Sequence, residues 1–546
     1  MTVSTDFWDF AKSFLIMLPD CRWYYEHNTS YQVPLPRPAV GQPRRRIFFI
    51  DAPLLLYEFG NPLPGSVYPK TFLQLVNSIA KKIEYLLIDD LSEGVLLVFD
   101  DHPPLAKQHS AIRDPTEATP VTPMELVNDL GGSEPYRRIE AWVRWSQQPD
   151  RRVEGLRETS LGSSNLAEKP FDFKLPAWKP PKNPSPEQAA QLADGTLKPP
   201  FLDDYLKNAD FKKMLYQKIL ETLGGRVKIP LWKDPATNRQ HRKWVVLLGT
   251  NFAATLYPNG VVDKVNDELK PVFREADTVI GHFMRLFMGR FDLVIESTDG
   301  DCTMCALLAM DDCVRKRGEQ IGDVAFAGRL YHVRHRWKNT RTQLIDVCEM
   351  WRAVHNTFAA LAAVERVQLE NPVGTFVALS MMLTNDYVTH YPQIGGSRLY
   401  KGVIRNAALI FASGDLVHNS WKEPDNFKLN WETFKRLSAA VWTEIASIEL
   451  DITKPDAAIA QLEHGDTMAS KHGFGMSLVR RTFANLTWCM RYFNTAGLAG
   501  VPHPNEFATT ATGASIFGYT KQSSEMDRYG RHSVVFAQTV AIDSLI

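Results

Sequence analysis

Cysteine is scarce in this chain, six in 546 residues, so the fold has to rest on a core rather than on disulfides. No secretory leader is read at its start, and free thiols in a reducing, intracellular compartment are expected. Long apolar runs are missing as well. No stretch reaches about 18 residues without a charge, so neither a membrane span nor a membrane partner is expected. Nor is there an excess of one charge: 62 basic and 62 acidic residues cancel, no global cationic field marks nucleic acid as a ligand, and any basic track has to be local. Cys302, Cys305 and Cys313 lie in or just after an apolar run with no second paired motif, and they read as buried small hydrophobes rather than zinc ligands.

What is present is ordinary globular composition, 44% hydrophobic and 23% charged. The length exceeds one ordinary core, which implies one large domain with insertions or two to three units. Residues 1–45 read as an N-terminal extension closing on Arg44-Arg45-Arg46, and 46–420 as an α/β core. An insertion spans about 115–240, with a proline-rich linker over 168–200. Residues 421–546 read as a mostly helical extension, amphipathic near 430–450 and 476–494, ending in a Gly/Thr/Ser-rich tail. No internal repeat is found.

Within the core, apolar runs read as buried strands that end on acids. Ile47-Phe48-Phe49-Ile50 leads to Asp51, Gly94 to Phe99 leads to Asp100, and Phe291 to Glu296 leads to Asp299 and Asp301. Trp244 to Leu248 is a further strand; Leu54–Phe59, Thr71–Leu87 and Phe273–Met288 read as helical, and helical segments are expected after Asp301 through Val364. In an open α/β sheet the C-terminal strand edge is where ligands bind, so the repetition is informative. Holding two divalent ions about 4 Å apart over a phosphodiester takes several hard oxygen ligands, which need not be adjacent in sequence. Candidates stand at strand ends (Asp51, Asp100, Asp299, Asp301), on a helix (Glu275, Asp277) and in a turn (Asp386). An Asp after a strand ordinarily caps a helix or shapes a turn, so none of these decides anything alone.

Their order and context resemble a family. Phe49-Ile50-Asp51-Ala52, Val98-Phe99-Asp100-Asp101-His102-Pro103-Pro104, Arg274-Glu275-Ala276-Asp277, Ser297-Thr298-Asp299-Gly300-Asp301 and Asn385-Asp386-Tyr387 resemble, in sequence order, the acid motifs of the flap endonuclease and Xrn-type 5′ nucleases of the PIN-like superfamily. Asp101 replaces the family's usual glycine, and Asp277 its second Glu. The resemblance covers roughly 46–410 without the insertion. It implies a PIN-like fold, α/β with a mainly parallel central sheet flanked by helices. It also implies metal-dependent cleavage near the 5′ ends or flaps of DNA, with two Mg2+ ions, or Mn2+, held by the seven acids. By the same resemblance Lys107 matches an arch lysine beside the scissile phosphate and Arg113, more loosely, an arginine further along. Gly395, Gly396, Arg398 and Lys401 match a hairpin that grips duplex phosphate, directly or through a monovalent cation.

The basic run Arg329, His332, Arg334, His335, Arg336, Lys338, Arg341 reads as a solvated face or a second phosphate track. Two other functions stay open: a 5′→3′ exoribonuclease on single-stranded RNA using the same acids, and a PIN-like scaffold that no longer binds metal.

Overall fold

The structure is a computed structural model. It describes chiefly residues 5–15, 22–27, 45–60, 72–100, parts of 216–264, 275–316, 328–335, 342–384, 396–418, most of 428–495, 519–526 and 532–536. The protein is α/β. Among the described residues its main sheet has nine strands in the order β1-β11-β10-β9-β2-β3-β6-β7-β8. These are β1 (Tyr24–His27), β2 (Arg46–Asp51), β3 (Ser92–Val98), β6 (Trp244–Gly249), β7 (Phe252–Leu256), β8 (Val262–Lys264), β9 (Asp292–Glu296), β10 (Leu330–His335) and β11 (Thr342–Asp346). The central strands β10, β9, β2, β3 and β6 run parallel, and antiparallel strands finish both edges. Short ribbons β4–β5 (Trp232–Lys233, Gln240–His241), β12–β13 (Val417–His418, Lys428–Leu429) and β14–β15 (Tyr519–Met526, His532–Phe536) lie outside it.

A parallel strand buried on both faces needs apolar residues at every position, which is why Ile47-Phe48-Phe49-Ile50 and Val95-Leu96-Leu97-Val98 are continuous apolar runs. Successive side chains then go to opposite faces. Ile47, Phe49, Leu96, Val98, Leu293 and Ile295 join one core cluster. Phe48, Ile50, Val95, Leu97 and Val294 join the other.

Helices cover both faces. On the second face stand α2 (Ala52–Gly60) and α3 (Phe72–Ile88), with Ile219, Leu220 and Leu223 from helical residues 219–224. On the first face stand α1 (Thr5–Phe14), α4 (Ala276–Phe287), α5 (Gly300–Lys316), α6 (Val347–Glu365), α7 (Pro372–Thr384) and α8 (Gly396–Arg405). Beside them lie α9 (Ala407–Phe411), α10 (Trp431–Ala446), α11 (Pro455–His464), α12 (Met468–Lys471) and α13 (Met476–Thr495).

Three segments are more integrated than a linear reading of the sequence implies. In the N-terminal stretch, Phe10 and Phe14 of α1 stack on Phe376 of α7 at 5.9 and 6.2 Å, and β1 pairs with β11. Ile219, Leu220 and Leu223, inside the span read as an insertion, belong to the second core cluster. The C-terminal helices α10 to α13 share one core cluster with the sheet rather than forming a separate body.

The expectation of helical segments through Val364 is corrected in part: β10 and β11 intervene between α5 and α6. In β10 two polar residues, His332 and Arg334, are buried inside the protein. Among the described residues no helix is long and apolar enough to cross a membrane.

Candidate metal centre

Strand register brings the acids toward one place. Asp51 ends β2, Asp100 stands two residues beyond β3, and Ser297 directly follows β9, where β3, β2 and β9 are adjacent parallel strands. Counting along the pleat, Asp51, Asp100 and Ser297 fall on the face whose core holds Phe49, Val98 and Ile295. That is the face carrying α4 and α5.

The hydrogen bonds bear this out. Ser297 Oγ lies 2.9 Å from Asp51 Oδ2 and accepts from the Asp299 N–H at 3.0 Å. A hydroxyl has one proton and a carboxylate has none to give, so the Ser297 proton points at Asp51. Asp100 Oδ1 accepts from the Ala276 N–H at 3.0 Å, which caps α4 from a different strand. Asp299 Oδ1 accepts from the Asp301 N–H at 3.0 Å and caps α5. Glu275 is the N-cap residue of α4 without a capping bond from its own side chain, and Asp277 lies in that helix's first turn.

Two thiols report the resulting field. Burial pushes the Cys302 thiol well up, and Asp51, Asp277 and Asp299 push it further. Burial likewise raises Cys305, reinforced first by Asp277 and Asp301. Both thiols are buried, which fits the apolar run that carries them.

Six of the seven acids are thus gathered at the start of α4, the start of α5 and the ends of β2 and β3. The seventh, Asp386, lies outside the described residues, as do Lys107, Arg113 and Gly395. Gly396 and Arg398 belong to the first turn of α8, and Lys401 is exposed on that helix.

No family model and no curated protein matches the chain.

The donors are all carboxylates apart from one hydroxyl, a set suited to a hard divalent cation and unsuited to zinc or copper. Among the described residues, however, no three His, Cys, Asp or Glu side chains close on a single point. The grouping is an open edge of acids rather than a finished cage. Helix-start chemistry explains Asp100, Asp277, Asp299 and Asp301 one by one, since acids are favoured where a helix presents its unsatisfied N–H groups. It does not explain why two helix starts and two strand ends that carry acids share one edge and one face.

Sequence reasoning missed the groups that support this edge. His332 and Arg334, read as part of a solvated basic face or a phosphate track, are buried at 0% and 8% exposure. Arg329 pairs with Glu349 at 2.8 Å instead of facing solvent alone. Arg336, Lys338 and Arg341 lie outside the described residues. Glu296, whose parity puts it on the opposite face, is neutralised by Lys82 of α3 at 2.9 Å. The available signal was alternation: His332 and Arg334 are two residues apart in a strand flanked on both sides, so both enter the same interior.

Proposed function

We propose that this chain is a divalent-metal-dependent phosphodiesterase of the PIN-like 5′-nuclease type, acting on DNA near 5′ ends or flaps. One observation carries the reading: adjacent parallel strands and two helix N-termini deliver carboxylates to one edge and one face of the sheet, with Ser297 bonded between two of the acid-bearing segments. The order of the acid motifs along the chain supports it. Bound there, Mg2+ or Mn2+ supplies polarisation of a phosphate oxygen and a more acidic water.

The chain's own residues have distinct tasks in this reading. Asp51, Asp100, Glu275, Asp277, Asp299 and Asp301 supply hard oxygen ligands, with Asp386 as the seventh. Ser297 holds one oxygen of Asp51 in a fixed direction, so that carboxylate meets an ion without first reorganising. The N-termini of α4 and α5 present backbone N–H groups that favour negative charge, whether on a carboxylate or on a phosphate oxygen. Lys107 and Arg113 are proposed to stabilise charge gathering on the phosphoryl group. Gly395, Gly396, Arg398 and Lys401, with a monovalent cation, are proposed to hold the duplex.

The test uses the purified full chain with Mg2+ or Mn2+ on flapped DNA and on 5′-phosphorylated single-stranded RNA, side by side with Asp299→Asn. Cleavage of the flap, lost in the variant, is the expected result. Preferential cleavage of RNA moves the proposal to an exoribonuclease. Absence of cutting on both, together with no Mn2+ binding at millimolar concentration, leaves a scaffold and overturns the enzyme reading.

A further inference from the structure

Beneath the acid edge lies a buried polar chain that the ligand set does not include. His332 and Thr303 are both fully buried, and the Thr303 hydroxyl is 2.6 Å from His332 Nδ1. His332 Nε2 is 3.0 Å from the carbonyl oxygen of Ser297. A carbonyl only accepts, so Nε2 carries the ring proton and Nδ1 accepts from Thr303. Arg334, two residues on, donates from Nε to the carbonyl oxygen of Thr298 at 2.8 Å and from a terminal nitrogen to Gln343 at 3.2 Å. Its guanidinium lies 5.2 Å from the ring centre of Trp8, which packs it from the N-terminal helix.

These two bonds govern what the acid-bearing turn presents. In a trans peptide the C=O and the following N–H point in opposite directions. Drawing the Thr298 carbonyl toward Arg334 therefore sends the Asp299 N–H the other way, where it meets Ser297 Oγ. With one lone pair so engaged, the Ser297 hydroxyl spends its proton on Asp51 Oδ2. His332 fixes the preceding peptide by its carbonyl in the same manner. The guanidinium is thus linked to a carboxylate on the neighbouring strand through one peptide unit and one hydroxyl.

We propose that His332 and Arg334 are positioning residues of the acid site: they hold the 297–301 turn so that Asp51, Asp299 and Asp301 offer their carboxylates together. As an account of metal affinity this rests on the metal-dependent reading above. As an account of turn geometry it does not. Neither residue touches substrate, since both are buried behind the turn.

The experiment compares the full wild-type chain with Arg334→Met, Arg334→Lys, His332→Leu and His332→Gln. It measures Mn2+ binding by calorimetry and hydrogen exchange over peptides spanning 297–303. Arg329→Met serves as a control for general loss of stability: its guanidinium pairs with Glu349 and Asp346 at the far end of β10 and β11. Residues that orient metal ligands from behind typically change affinity about 10- to 100-fold when removed. Arg334→Met and His332→Leu are expected to weaken Mn2+ binding by about that factor and to speed exchange in 297–303. Arg334→Lys and His332→Gln, which keep a donor, should recover most of both. Arg329→Met should lower the melting temperature and leave Mn2+ affinity within about twofold, inside the range of an unaffected site.

Wild-type affinity and unchanged exchange in Arg334→Met and His332→Leu overturn the proposal. If the wild-type chain itself binds no Mn2+, the metal reading falls. The exchange data then decide the positioning role by themselves: faster exchange confined to 297–303 supports it, and no change refutes it.

Discussion

Replacing Asp299 with Asn removes one negative charge and little else. Asn ranks with Asp as a helix N-cap, so the side-chain oxygen keeps its place opposite the Asp301 N–H, and the backbone bond to Ser297 is untouched. The change is electrostatic. Two unit charges about 6 Å apart at an effective dielectric of about 20 repel by about 3 kcal/mol, and solvent at a half-exposed edge reduces that to about 1 kcal/mol or less. Without metal, Asp299→Asn should therefore be as stable as the wild type or up to about 1 kcal/mol more stable.

With metal the sign reverses. Mn2+ at about 100 times its dissociation constant stabilises a binding protein by about 2.7 kcal/mol, which for 546 residues raises the melting temperature by about 2 °C. The variant should lose most of that rise. Scanning calorimetry with and without Mn2+, followed by chelation, reads both effects. An equal Mn2+ shift in wild type and variant refutes the ligand role. A loss of more than about 2 kcal/mol in the metal-free variant refutes the electrostatic reasoning, since Asn keeps the cap and only a charge is removed.

Three further outcomes are expected. Burial pushes Asp346 up to about 6 although Arg329 lies 3.5 Å away, because that guanidinium sits closer to Glu349, at 2.8 Å. Its folded carboxyl keeps a proton that the unfolded chain has released above about pH 3.9, so stability falls as pH rises from about 4 to 6, by on the order of 3 kcal/mol. Asp346→Asn should flatten that window in urea titrations and stabilise the protein at neutral pH, since Asn still caps α6 at the Glu349 N–H.

Gly402→Ala puts a Cβ 2.7 Å from the Ala440 carbonyl oxygen and 2.9 Å from Val441 Cα, both backbone atoms, where α8 crosses α10. It should destabilise by about 1–3 kcal/mol in the same titrations. Phe10→Ala empties the stack between α1 and α7 and should lose about 3–5 kcal/mol, read by chemical denaturation. A smaller loss, under about 1 kcal/mol, would mean that α1 is a detachable extension after all.

Much of the fold's centre was legible along the chain. Ile47–Ile50, Gly94–Phe99, Trp244–Leu248 and Phe291–Glu296 are apolar runs of strand length, and each is a parallel strand of the sheet within a residue or two at either end. A strand buried on both faces favours apolar residues along most of its length, so a continuous apolar run announces it. The outer antiparallel strands β1, β7, β8 and β11, and the inner strand β10, were not legible, because antiparallel pairing toward a sheet edge or the presence of polar residues leaves only a weak pattern. Leu330-Tyr331-His332-Val333-Arg334-His335 looked like a charged surface segment and is an interior strand.

The acids divide in the same way. Sequence alone determined which carboxylates exist and that several follow strands, because those are properties of residues next to one another in the chain. It also determined the buried thiols of Cys302 and Cys305, since an apolar run buries whatever cysteines it carries. Only the tertiary structure decided that Asp51, Asp100, Asp299 and Asp301 share a face with two helix N-termini. Only it showed that Ser297 joins them and that His332 and Arg334 stand behind them. Those relations depend on strand order and on pleat parity across segments separated by up to about 280 residues. No local pattern encodes them, because a pleat of period two and a helix of 3.6 residues per turn align distant side chains only once the strands are in register.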